Sequence, residues 1–197
     1  MKETSGLVYG VGVGARKYSS SVSGKHRPEY QIWKFMLRRC YSEKERKSSP
    51  TYDDCIVSEN FKNFDYFYEW CQEQVGFGVI GFALDKDILI RGNRVYSEDT
   101  CVFVPKAVNL LVVTKVSCRG KYPIGVSFDK SRDKFLAMCS RGGKLKSLGR
   151  YSTPEQAFEA YKTFKESYIK QVAEQYKSQI DPRAYKALLE YEVNIED

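Results

Sequence analysis

Histidine is almost absent from this chain: its 197 residues contain one, His26. Imidazole titrates near neutrality and is the commonest metal ligand, so chemistry that needs two or three histidines is excluded. Six cysteines are present (Cys40, Cys55, Cys71, Cys101, Cys118 and Cys139), but they form no CxxC pair and no Cys/His cluster at zinc-finger spacing. Structural zinc is therefore not expected, and buried thiols are the reading that remains. No apolar run is long enough to span a bilayer, and Met1–Gly14 lacks the charged-then-apolar order of a signal peptide. The expected compartment is the cytoplasm, with no membrane partner. The stretch Gly6–Gly14 (GLVYGVGVG) is rich in glycine, yet no GK[ST] follows it. It is expected to be an extended, flexible segment and not a phosphate loop.

What is present is positive charge and aromatic rings. The formal net charge is +7, and because Lys and Arg release condensed counterions from phosphates, such an excess favours polyanionic partners. Aromatic residues make up 14% of a chain that is 42% hydrophobic, enough for a packed core with rings left over.

The chain then divides by pattern. Residues 1–27, with Ser19, Ser20, Ser21 and Ser23, are expected to be a flexible arm. From Tyr30, the residues Trp33, Met36, Leu37, Cys40 and Tyr41 recur at three- and four-residue steps, predicting a helix with one apolar face. The segment SEKERKSSP reads as a polar loop, Tyr52–Val57 as a short strand, and Phe61, Phe64, Tyr68, Cys71 and Val75 as one side of a second helix ended by Gly76 and Gly78. These two aromatic faces are expected to pack together. In Leu84–Pro105, apolar runs flank the turn-like Arg91-Gly92-Asn93, suggesting a hairpin or two short strands.

Beyond these lies the strongest charge asymmetry. From Lys115 to Arg150 ten Lys and Arg residues are opposed by Asp129 and Asp133 alone. Strand candidates fall at Pro123–Phe128, Lys134–Cys139 and Lys144–Leu148, a small antiparallel meander. Thr153-Pro154-Glu155-Gln156 combines an N-cap, a proline at the first helical position and a glutamine three residues after the cap, so a helix starts there. Pro182 ends it, and a short terminal helix follows. The fold class is α+β: a helical and short-strand region over 28–114, then a three-stranded antiparallel sheet packed on one helix within 115–197.

A sheet backed on one side by a helix leaves its other face for a ligand, and Arg can bind two acceptors on guanine at once. Arg132, Lys134, Lys144 and Lys146 are the base-reading candidates on duplex DNA. Arg119, Lys121, Arg141 and Arg150 are expected to make phosphate or flanking contacts. Strand alternation places Lys144, Lys146 and Leu148 on one side of their strand, and Asp85 and Asp87 on one face of theirs. Asp85-Lys86-Asp87 has two readings: paired carboxylates that hold Mg²⁺, or a structural ion-pair cluster at a strand end.

The segment YPIGVSFDKSRDKFLAMCSRGGKLKSLGRYSTPEQAFEAY resembles the AP2-type DNA-binding domain, in which the sheet enters the major groove. The match covers about a third of the chain; it has no Trp among the strands. YQIWKFMLRRCY, TYDDCIVSENFKNFDYFYEW and LDKDILIRGNRVYSEDTCVFVP resemble bacteriophage proteins grouped with HNH-type homing endonucleases. That resemblance implies a DNA-directed phage protein in which LDKD takes the place of the family's Asp-His motif, with Asn93 or Asn109 in the following loop or helix. An HNH site needs a histidine to activate water, and the corresponding position holds Lys86, whose ordinary ammonium is protonated at neutral pH. The expectation is a degenerate relative that binds DNA. The alternatives are a Mg²⁺-dependent DNA endonuclease using Asp85, Lys86, Asp87 and Asn93, and an interaction protein that binds a host protein.

Overall fold

Proline at the first position and Arg38 and Arg39 in the last turn bracket α1 (Pro28–Tyr41), a placement that suits both the missing proline N–H and the helix dipole. This is a computed structural model that describes residues 6–48, 52–112 and 120–197. It divides into two units, Met1–Lys106 with Gln179–Ala184, and Ala107–Ser178 with Tyr185–Asp197. The sequence boundary at 114/115 lies outside the described residues. The architecture is α+β, with a three-stranded antiparallel sheet and following helices in the second unit. Among the described residues no helix is long and apolar enough to cross a membrane.

In the first unit, the periodic residues of α1, Trp33, Met36, Leu37 and Cys40, are buried as their spacing requires. The expected second helix is broken into a 3-10 turn, Asn60–Lys62, and α3 (Phe64–Glu73). The cause is Asn63, whose side chain accepts from the backbone N–H of Asp65 and Tyr66 and so caps α3 there. The two helices do pack together: the Trp33 and Phe64 rings meet edge-on at 5.6 Å, and Trp33 Nε1 donates to the Phe61 carbonyl at 2.7 Å. SEKERKSSP departs from the expected loop. Its residues Glu43–Ser48 form the short helix α2, and Arg46 donates back to the Cys40 carbonyl.

The expected flexible arm is instead folded over residues 6–26. Leu7–Val8 (β1) pairs with Gly12–Val13 (β2), and Ser21–Val22 (β3) with Lys25–His26 (β4). Ser23 (φ 51°) and Gly24 (φ 74°) make the second connection a two-residue turn of the type that matches strand twist. The anchor is Asp65 of α3, whose carboxylate accepts from the backbone N–H of Arg16, Lys17 and Tyr18 at 3.0, 2.9 and 3.0 Å. Partial burial pushes its pKa up, but the amides of Lys17, Tyr18 and Arg16 outweigh this and leave it lowered.

Two further strand pairs complete this unit. Ile56–Val57 (β5) lies parallel to Val95–Tyr96 (β7), and Phe82–Asp85 (β6) lies antiparallel to Val102–Pro105 (β8), which runs on into α4 (Lys106–Val112). Of the two expectations for the runs flanking Arg91-Gly92-Asn93, two short strands and not a hairpin are formed, since β6 pairs with β8 and β7, after the turn, pairs with β5.

In the second unit, Val126–Asp129 (β9), Lys134–Arg141 (β10) and Lys144–Tyr151 (β11) form a sheet in the order β11-β10-β9, followed by α5 (Pro154–Tyr176); the last helix, α6 (Pro182–Leu189), has its first residues in the first unit and the rest in the second. Thr153 Oγ1 accepts from the Gln156 N–H at 3.2 Å, the cap expected from sequence. Phe158 and Tyr161 of α5 pack against Cys139 of β10 and Val193, with Ile124, Val126 and Leu148 at the margin. Cys40, Cys71, Cys101 and Cys139 are buried, and burial pushes each thiol pKa up, so they are weak nucleophiles.

Candidate nucleic-acid interface

Register assigns every side chain of the sheet to a face, because directly opposed residues point to the same side. Ala137 and Cys139 are buried at 0% and 2% exposure, and Cys139 lies in the cluster with Phe158 and Tyr161. The side bearing Phe135, Ala137, Cys139 and Arg141 is therefore covered by α5. Lys134, Leu136, Met138 and Ser140 point to the uncovered side.

This register divides the expected base-reading set between the two sides of the sheet. Lys146 lies opposite Cys139 and Lys144 opposite Arg141, so both belong to the side that α5 covers. Lys146 Nζ sits 4.9 Å from the centre of the Phe164 ring, and the Arg141 guanidinium 5.5 Å from that of Tyr168 while it donates to Gln171. These three cations are exposed around the β10–β11 hairpin tip, at the rim of the helix-covered side. Leu148 does share their side, as alternation predicts.

Alternation then fails by one residue. Ala137 faces Gly149 and Met138 faces Ser147, so Leu148 is an extra residue, a β-bulge. Gly149 takes φ +131°, open to glycine and strained for other residues. The bulge reverses the phase of the strand, and Arg150, expected at the periphery, comes to lie opposite Leu136 on the uncovered side. A glycine inside an otherwise strand-like run was the available signal for it.

The uncovered face is organised by a residue outside the expected set, Asp129. Arg150 Nε donates to its Oδ2 at 3.0 Å and Arg132 Nη1 to the same oxygen at 3.2 Å. The other oxygen accepts from the Ser131 hydroxyl at 2.6 Å and the Ser131 N–H at 3.2 Å. The Ser131 hydroxyl, then Arg150 and Arg132, hold the Asp129 carboxyl well below the usual carboxylate range. Because β9 and β11 both neighbour β10 and not each other, Arg150 must cross the middle strand to reach Asp129. Its guanidinium thus lies over the centre of the face. Lys134 donates to Ser152 Oγ at 3.1 Å, and Leu136, Met138 and Leu145 supply apolar surface between the cations. Lys121 is exposed just ahead of the sheet. Arg119 lies outside the described residues.

The first unit brings together the other expected set, Asp85, Lys86, Asp87 and Asn93, but in a way that changes its chemistry. The strand β6 stops at Asp85 and the chain bends from Lys86, so the alternation that put Asp85 and Asp87 on one face does not continue. Asp85 is 9% exposed, and its Oδ1 accepts from the backbone N–H of Asp87 and Ile88, both at 2.8 Å. Burial holds its pKa up, only partly opposed by those two amides.

Lys86, 5% exposed, ion-pairs with Asp87 and donates to the Asn93 carbonyl at 2.9 Å, with the Tyr96 and Tyr52 rings 5.7 and 6.0 Å away. Asn93 in turn donates to the carbonyls of Lys86 and Val95 and accepts from the Val95 N–H. The four residues clasp a loop around a buried ammonium. Asn109 lies within α4, and His26, on β4, faces the Tyr30 ring at 4.9 Å. Among the described residues no group of three or more His, Cys, Asp or Glu side chains could hold a metal ion. No protein-family model matches this chain, and neither a curated protein nor a solved structure matches it.

Proposed function

We propose that this chain is a DNA-binding protein that docks on double-stranded DNA through its three-stranded sheet, an AP2-like module joined to a degenerate HNH-like region of bacteriophage type. The observation that carries the reading is the pairing of an uncovered sheet face with concentrated charge. From Gly120 to Tyr151 eight Lys and Arg stand against two Asp, so this short segment supplies most of the net +7 of the chain. Outer strands two spacings apart make the sheet about 10 Å across, comparable with a major groove about 12 Å wide. Arg132, Lys134 and Arg150 would face base edges. Arg141, Lys144 and Lys146 at the hairpin tip would meet phosphates, which position the protein without reading sequence.

A binding role is favoured over Mg²⁺-dependent cleavage because Asp85 is engaged with backbone amides and Lys86 brings a positive charge into the cluster where a divalent ion would have to sit. The test is binding of the full chain to random-sequence duplex across a salt series with Mg²⁺ present. Salt-sensitive retention of intact duplex is expected. Absence of binding would overturn the reading and leave a host protein as the partner to seek. Metal-dependent cleavage that disappears in Asp85→Ala would replace it with the endonuclease.

A further inference from the structure

Resting on the duplex-DNA reading above, we propose that Arg150 is the specificity-determining residue of the sheet, reading one guanine in the major groove while Asp129 positions its side chain. Three observations converge on it. The bulge at Leu148 places Arg150 on the uncovered face, away from the side occupied by Lys144 and Lys146. The side chain crosses β10 to Asp129, so the guanidinium lies over the middle of that face, where a base edge would be nearest. Asp129 accepts the Nε–H hydrogen bond, and the two Nη groups, on a side chain that is 41% exposed, are left as a planar fork.

That division of labour matters chemically. Guanine presents O6 and N7 as adjacent acceptors in the major groove, and the Arg fork matches them with two parallel hydrogen bonds. An unrestrained Arg loses rotamer freedom on binding, whereas one held through Nε is already oriented. Asp129 is itself fixed, by Ser131 through both its hydroxyl and its N–H and by Arg132 on the shared oxygen. Lys134 lies on the same face, but its ammonium already donates to Ser152 Oγ at 3.1 Å and has no planar fork.

The full chain is used to select from a pool of randomised duplexes, and the enriched duplex is remade with 7-deazaguanine, which lacks N7. The variants are Arg150→Ala, Asp129→Asn and, as a rim control, Arg141→Ala, with circular dichroism confirming that each is folded. Wild-type protein is expected to enrich an invariant guanine and to lose about tenfold in affinity on the 7-deaza duplex, the scale of one bidentate contact. Arg150→Ala should bind more weakly, without preferring guanine and without sensing the 7-deaza change. Asp129→Asn should reduce the preference while retaining most of the affinity, and Arg141→Ala should weaken all duplexes alike. An enriched motif without guanine, or one whose guanine preference survives Arg150→Ala, overturns the assignment and leaves the DNA reading standing. Failure of the wild-type chain to retain any duplex overturns both.

Discussion

Replacing Gly125 with alanine tests how the sheet is seated on α5. Gly125 precedes β9, takes φ +76°, and donates no side chain, while its carbonyl accepts from the Met138 N–H at 2.8 Å. A Cβ built there would lie 2.1 Å from Cδ2 and 2.4 Å from Cγ of Tyr161. Tyr161 is 6% exposed and packed among Cys139 and Phe158, so the ring has little room to retreat. Two costs add: about 1–2 kcal/mol for a non-glycine residue in the left-handed region, and about 1–3 kcal/mol for overpacking a filled core. The total is roughly 2–5 kcal/mol, a large share of the 5–15 kcal/mol that stabilises an ordinary domain. Gly142→Ala is the matched control, because Gly142 has φ +57° but nothing within 4 Å of its would-be Cβ, so it bears only the backbone cost. Urea unfolding followed by circular dichroism should place Gly125→Ala about 1–3 kcal/mol below Gly142→Ala. Equal stability of the two variants would show that Tyr161 is not seated against this glycine, and the helix-covered face assigned to the sheet would fall with it.

Three further outcomes are expected. In the hairpin-tip variant Arg141→Ala/Lys144→Ala/Lys146→Ala, the slope of log affinity against log salt should shrink by about 0.9 for each phosphate contact removed; fluorescence anisotropy titrations that keep the wild-type slope would remove the tip from the interface. Lys86→Met should destabilise the first unit by about 1–3 kcal/mol, since it strips a charged donor from the Asn93 carbonyl while the half-exposed Asp87 can rehydrate; a more stable variant in urea unfolding would contradict the clasp. The Asp65 pKa is lowered in the folded state, so its contribution is complete above the unfolded carboxylate value and fades as pH falls through the folded one. Hydrogen exchange at Arg16, Lys17 and Tyr18 should therefore quicken, relative to other amides, as the pH falls below about 4, and Asp65→Asn should show much of that loosening at neutral pH.

Local rules make much of this protein legible in its sequence. The spacing of Trp33, Met36, Leu37 and Cys40 determined a helix with a buried stripe, and Thr153-Pro154 determined where α5 begins, because apolar period and cap chemistry act within a few residues. The three strands of the basic meander and the turns between them were equally local. Tertiary structure decided the rest. Residues 6–26 carry no helical or strand period, and they are ordered by Asp65, a carboxylate some fifty positions away, so composition alone reads them as a loose arm. Asp85 and Asp87 alternate on paper, yet the strand ends between them and Asp85 turns its oxygen onto the chain's own amides. Which cations lie on the side away from α5 depended on a single extra residue at Leu148, since one insertion in a period of two exchanges the faces of everything after it. The sequence thus determined that a basic sheet would lie on a capped helix; the bulge at Leu148 and the reach of Arg150 to Asp129 decided which side of that sheet carries the guanidinium.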